Sequence, residues 1–267
     1  MQNSKLLTDL IETSNTLGKR IDYIQGAGGN LSVKISDSEM AIKASGFLLK
    51  EIQLKKGISF VDFNKINDYL KKPHDKDDDF NNTINSFVVN NDIKPSIETG
   101  FHALLGDFVI HSHSVYVNYL LCTFEGKELI KKIVPQGIWI DYSAPGRSVT
   151  LEIMKKLGKA LPGNGIIFMQ NHGMICWAEN SKSALNIHEE INNIIRSNHK
   201  FSEFNYLQNA KKENLKHKTI LFPDQAVFLK ENSKTSETSS AKENAYAYEY
   251  ILKNIQDNRL TPKFLTE

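Results

Sequence analysis

Ser96–Ser114 reads S-I-E-T-G-F-H-A-L-L-G-D-F-V-I-H-S-H-S, and the rest of the chain is best read outward from it. A carboxylate, Glu98, is followed thirteen residues on by His111 and then by His113. Side chains of a strand alternate between its two sides. As a strand, F-V-I-H-S-H therefore sends Val109, His111 and His113 to one face and Phe108, Ile110 and Ser112 to the other. Two imidazoles then project in parallel from a rigid support. Upstream, Pro95 and Ser96 are expected to open a helix over Ile97–Leu105, with Ser96 as its N-cap. Glu98 then falls in the first turn, where the helix dipole favours a carboxylate whatever its function. His102 lies one turn further on and reads as a packing or supporting residue.

Neutral imidazole nitrogen is a borderline ligand suited to zinc and its neighbours, so two parallel histidines form half of a divalent metal site. The best third candidate is His172 in F-M-Q-N-H-G-M-I-C-W. It follows I-I-F-M-Q, which reads as a short buried strand, and precedes Gly173, which permits backbone geometry that other residues resist. Taken alone, these residues leave a metal site and a packing role both open.

The whole chain, 267 residues with 40% hydrophobic content, suits one large domain or one domain with appendages. Net charge is +2 with the signs mixed along the sequence. No basic stripe with interleaved aromatics appears, so no nucleic-acid partner is expected. Cys122 and Cys176 sit in apolar surroundings, Y-L-L-C-T-F and M-I-C-W, and read as buried thiols. No apolar run approaches the ~18 residues of a membrane span, and no membrane partner is expected. M-Q-N-S-K-L-L-T-D-L-I-E lacks the basic segment and apolar core of a secretory leader. The cytoplasm is the expected compartment.

Leu6–Gly18 carries apolar residues at helical spacing, with Gly18 placed to stop the helix. In I-Q-G-A-G-G-N-L-S-V-K-I, three glycines make a loop that can bring backbone N–H groups close to a ligand, and Leu31, Val33 and Ile35 then alternate as a strand. A dinucleotide fingerprint is excluded, because it needs a strand before the glycines and a helix after them. M-A-I-K-A-S-G-F repeats the form, a strand running into a Ser-Gly turn, and two such turns can converge on one small anion. I-S-F-V-D-F reads as a strand, K-I-N-D-Y-L-K-K as a short helix or strand, and P-H-D-K-D-D-D-F as an exposed loop with His74 on the surface. Asp77–Asp79 lacks the ligand spacing and glycine of a calcium loop. Beyond His113, V-Y-V-N-Y-L-L-C-T-F-E reads as helix, I-W-I-D-Y as strand, and L-E-I-M-K-K-L-G as a short amphipathic helix. Ser181–Phe204 carries the spacing of one long amphipathic helix, in which His188 and His199 are ordinary occupants. S-K-T-S-E-T-S-S-A-K is a polar linker and A-Y-A-Y-E-Y-I-L-K-N a helical tail. Residues 1–225 are thus expected to form the domain, and 226–267 a linker and tail.

Taken in order, G-G-N-L-S, K-A-S-G, P-S-I-E, H-S-H-S, Y-S-A-P-G and N-H-G resemble the class II aldolase/adducin family over about Ile24 to Ala178. This is the family of rhamnulose- and fuculose-phosphate aldolases and ribulose-phosphate 4-epimerase. L-F-P-D-Q-A-V-F-L also looks like a segment of its longer members. The resemblance implies an α/β fold, a three-layer αβα sandwich around a mixed, largely antiparallel sheet. It implies a divalent metal, usually Zn2+, on three histidines matching His111, His113 and His172, and a catalytic carboxylate matching Glu98. Phosphate-binding positions match Asn30 with Gly29, Ser45 with Gly46, and Ser96. One position departs: many sugar-phosphate members carry a second serine where this chain has Ile97, which removes a hydroxyl donor. Family likeness further implies a homo-oligomer, a tetramer, whose site is often completed by a tyrosine from a neighbouring subunit. Tyr206, Tyr246, Tyr248 and Tyr250 are the candidates.

The implied activity is a metal-dependent aldolase that reversibly cleaves a ketose or ketose phosphate by enediolate chemistry. Epimerases, dehydratases and decarboxylases of the family use the same platform, and a non-catalytic adducin-like interaction module is the alternative outside chemistry. Retention of all three histidines and Glu98 argues for chemistry.

Overall fold

Seven strands pair into one sheet in the computed structural model, which describes residues 2–72, 79–89, 93–158, 161–205, 219–228 and 238–265. They are β1 (Asn30–Lys34), β2 (Glu39–Lys43), β3 (Ile58–Asp62), β4 (Phe108–Ser112), β5 (Ile138–Ile140), β6 (Gly165–Met169) and β7 (Gly173–Ala178). Their spatial order is β3-β2-β1-β4-β7-β6-β5. Every pairing is antiparallel except β5 with β6, so the sheet is mixed and largely antiparallel, as expected. The helices among the described residues are α1 (Gln2–Gly18), α2 (Phe63–Leu70), α3 (Phe80–Ser86), α4 (Thr99–Leu104), α5 (Val115–Leu121), α6 (Gly126–Ile133), α7 (Arg147–Leu157), α8 (Ser181–Asn198), α9 (Pro223–Phe228) and α10 (Ser239–Asp257).

The alternation read in F-V-I-H-S-H divides the core. Phe108 and Ile110 join Leu31, Val33 and Cys176 on one face, beneath Leu17 of α1, Leu120 of α5, Ile191 of α8 and Ile251 of α10. Val109 joins Ile167, Ile175 and Trp177 on the other, against Phe101 of α4 and Val149 and Ile153 of α7. Met40, Ile42 and Val61 extend that second face toward α2 and α3 through Ile66, Leu70 and Ile84. Helices therefore cover both faces, which gives the three αβα layers. All five residues of β4 are buried, because three strands flank it on each side.

Four local readings change. The helix after Ser96 starts at Thr99 rather than Ile97, and Glu98 occupies the N-cap position. Ser96 is not the cap: its hydroxyl accepts from the Glu98 N–H at 3.3 Å, and its carbonyl accepts from Thr99 N and Oγ1 at 3.1 and 2.6 Å, closing a turn ahead of the helix. K-I-N-D-Y-L-K-K resolves as helix because Asp62 caps Lys65 N at 3.1 Å and Phe63, Ile66 and Leu70 share its buried side. The long helix from Ser181 stops at Asn198, short of Phe204. M-I-C-W, read only as the surroundings of Cys176, belongs to the strand β7.

The helix expected in the tail is α10, which places Ala247, Tyr248, Tyr250 and Ile251 in the core beside α5. His74, Asp77, Tyr206 and residues 233–237 of the polar linker lie outside the described residues. Among the described residues, no helix is long and apolar enough to cross a membrane.

Candidate active site

His111 stands on the central strand and His113 just beyond its end, where the His113 backbone N–H donates to the Tyr23 carbonyl at 3.0 Å. His172 arrives from the turn between β6 and β7. Asn171 in that turn has φ 52°, a left-handed conformation that asparagine tolerates better than most residues. Gly173 lets the turn lie against β4: a Cβ there would sit 2.3 Å from the Ser112 carbonyl oxygen and 3.1 Å from a His111 ring carbon. The three buried rings have centroids 4.8, 5.0 and 5.3 Å apart, and one nitrogen from each lies within 4.8 Å of the others.

The hydrogen bonds show what these nitrogens can hold. Burial pushes His111 down to about 3, so its ring is neutral. Its Nδ1 faces the Met174 carbonyl at 3.0 Å, which can only accept, so Nε2 carries the lone pair. That Nε2 lies 3.0 Å from His113 Nε2 and 3.4 Å from Glu98 Oε2. His172 Nε2 lies 3.0 Å from Glu98 Oε1, and its buried Nδ1 has no hydrogen-bond partner among the described residues. Acceptor atoms crowded in this way suit a divalent cation among them, and three imidazoles are a donor set for zinc-like ions. The residues fit a bound metal.

Glu98 is 5% exposed, and burial opposes its charge. The attraction of His111, His172 and His113 in their protonated forms outweighs that cost and holds the carboxyl well below its usual range. Asn30 supports it, donating from Nδ2 to Glu98 Oε2 at 2.7 Å and to Ser96 Oγ at 3.2 Å. With the Asn30 amide so oriented, its Oδ1 accepts from His102 Nε2, and His102 Nδ1 accepts from the Ser32 hydroxyl at 2.7 Å. His102, which sequence reading left as packing, thus orients the residue that holds Glu98.

Gly29, Asn30, Ser45, Gly46, Ser96, Glu98, His113 and His172 all line one cavity of about 260 Å3, with His111 buried behind it. Residues 8–199 match the family model described as the class II aldolase and adducin N-terminal domain. The chain belongs to that family. Its fold is similar to that of the N-terminal class II aldolase domain of a conserved Thermoplasma acidophilum protein, at 24% identity and TM-score 0.63, covering 71% of this chain and 91% of that one. It is also similar to YgbL of Klebsiella pneumoniae, described as a putative aldolase/epimerase/decarboxylase, at 21% identity and TM-score 0.55 over 74% of this chain and 89% of that one. An L-fuculose 1-phosphate aldolase is comparable at 24% and 0.52, covering 73% and 84%. No curated protein matches.

Two residues of this class II aldolase cavity escaped the sequence reading. Lys43 is 4% exposed and its ammonium donates to the Ala27 carbonyl at 3.0 Å. Burial pushes it down to about 8 against the attraction of Asp224 and Glu98. Its position in K-A-S-G, two residues before Ser45, was the available signal. Asp224 pairs with His113 Nδ1 at 3.0 Å; its segment, L-F-P-D-Q-A-V-F-L, was noted for its likeness to longer members, but nothing in it marked the aspartate as a site residue. Burial raises the Asp224 carboxyl, His113 more than reverses this, and in return His113 is raised above its ordinary value despite its own burial. Of the tyrosines considered, Tyr248 meets Thr219 at 2.9 Å, Tyr250 donates to the Ser202 carbonyl at 2.7 Å and Tyr246 packs on Phe204. None of these three lines the cavity.

Proposed function

We propose that this family member is a metal-dependent aldolase that reversibly cleaves a ketose or ketose phosphate, with zinc on His111, His113 and His172. The observation that carries the reading is the position of Glu98, a buried, ionised carboxylate 3.0 and 3.4 Å from two of the three imidazoles and open to the cavity. A divalent cation held there supplies Lewis-acid stabilisation of negative charge on the substrate oxygens. In cleavage the hydroxyl beside the breaking C–C bond gives its proton to the Glu98 carboxylate, which delivers a proton to the carbon left on the ketone fragment; in condensation Glu98 takes that carbon's proton back, a role that contributes ~10²–10⁴-fold. Asn30 holds the carboxylate in line for that transfer. The turns at Gly29-Asn30 and Ser45-Gly46, with Ser96, receive the far end of the sugar. Ile97, 49% exposed, puts an apolar side chain on the rim, and the Lys43 ammonium supplies a cation for an anionic end despite the missing hydroxyl. The enzyme works in this reading as a cytoplasmic homo-oligomer, a tetramer by family likeness.

A screen of ketose phosphates and free ketoses, following aldehyde release with and without chelator, tests the proposal. Release that chelator stops and zinc restores is expected. Epimerisation, dehydration or decarboxylation without aldehyde would replace the aldolase reading. Binding of metal with no turnover of any sugar would favour the adducin-like module.

A further inference from the structure

The helix α9 lies beyond the residues matched to the family, yet it brings a carboxylate against one of the three histidines. Asp224 Oδ2 lies at ion-pair distance, 3.0 Å, from His113 Nδ1 and has no hydrogen-bond partner of good geometry among the described residues; the two side chains are 22% and 5% exposed. The approach depends on Gly28, where a Cβ would stand 2.4 Å from Asp224 Oδ2 and 2.7 Å from His113 Nδ1. No side chain fits at that point of the glycine loop, so the loop makes room for this pair as well as for a ligand.

The segment carrying Asp224 is itself fixed. Gln225 Oε1 accepts from Leu221 N and its Nε2 donates to the Thr219 carbonyl, each at 2.8 Å. Asn171, beside His172, donates to the Leu221 carbonyl at 2.8 Å and to the Lys263 carbonyl at 2.6 Å. Leu265 N donates to the Ile220 carbonyl at 2.7 Å. The turn that delivers His172 therefore also anchors the stretch that delivers Asp224.

A neutral imidazole has two tautomers, and the hydrogen bond at one nitrogen decides which nitrogen keeps its lone pair. We infer that Asp224 is the positioning residue of His113: its carboxylate takes the Nδ1 proton as a hydrogen bond and so presents Nε2, unprotonated and correctly aimed, to the cation. The Met174 carbonyl does the same for His111. The inference rests on the reading of His113 as a ligand, and it extends the metal site beyond the residues matched to the family model.

The test uses the full chain stripped with chelator and titrated with zinc alone against a chromogenic competitor, for the parent, Asp224→Ala and Asp224→Asn. Nitrogen NMR of the stripped parent and Asp224→Ala in alkaline buffer reports the His113 tautomer without metal. The parent should protonate His113 on Nδ1, and Asp224→Ala should shift the proton toward Nε2. Zinc affinity should fall ~10–100-fold in Asp224→Ala, the range for lost support of a ligand. Asp224→Asn, whose amide oxygen still accepts but lacks the charge, should fall less and covers the case in which the alanine variant does not fold. A folded Asp224→Ala that binds zinc within twofold of the parent overturns the inference, as does a parent His113 protonated on Nε2 alone. A parent that binds no zinc overturns the metal reading instead, while the tautomer experiment still judges Asp224.

Discussion

Replacing Lys43 with methionine tests how this fold carries a buried cation, independently of any substrate. In the folded chain the ammonium is 4% exposed and burial lowers its pKa from 10.5 to about 8. The unfolded chain holds the proton up to about pH 10.5 and the folded chain releases it near pH 8. Between those values the unfolded state binds more protons, and stability rises with pH. Each pH unit of that interval is worth ~1.4 kcal/mol, so the full rise is about 3 kcal/mol. The contribution is complete above the unfolded pKa and lost as pH falls through the folded one. Lys43→Met has no such group, so its stability should lack this rise. The offset between the two proteins at neutral pH also contains the Ala27 carbonyl, left without its donor, but the change of that offset with pH does not. Urea unfolding of metal-free parent and variant at several pH values from about 7.5 to 10.5 gives the comparison, the ordinary titrations of other groups being common to both. Parallel stability curves across that range would refute the reasoning, because they would mean that the lysine titrates alike in both states.

Glu98→Gln keeps the shape of the side chain and removes the base, so turnover of the true substrate should fall by ~10²-fold or more with zinc content unchanged, read by single-substrate kinetics and metal analysis. An unchanged rate would make Glu98 no more than a carboxylate placed well for the helix dipole. Gly173→Ala forces a Cβ to 2.3 Å from the Ser112 carbonyl oxygen, so it should lower the unfolding temperature and weaken zinc binding together. Equal stability and affinity in that variant would mean that the turn relaxes freely. Zinc at a hundred times its dissociation constant should raise the stability of the stripped parent by about 2.7 kcal/mol, measured by denaturant unfolding with and without the ion. No increase would show that the histidines do not hold it in the folded state.

Much of the fold was legible where one physical constraint acted locally. The period-two pattern of F-V-I-H-S-H placed β4 and assigned its two faces, and the apolar spacing before Gly18 gave α1. Glycine loops beside strands gave the turns that meet at the cavity. Readings failed where distant partners decided. The start of α4 is set by Ser96 closing a turn onto Glu98 and Thr99, a competition between two plausible caps that local sequence does not resolve. Asp224 reaches His113 only through the packing of Gly28 and the anchoring of Leu221 by Asn171, so no spacing rule could find it. His102 looked like packing because its part is played through Asn30, 72 residues away.

The central position of β4 also bears on time. A strand with three neighbours on each side and apolar layers on both faces opens only when the whole sheet opens, whereas β3 and β5 at the margins can fray separately. His111 therefore sits in the part of the molecule whose amides exchange with solvent most slowly.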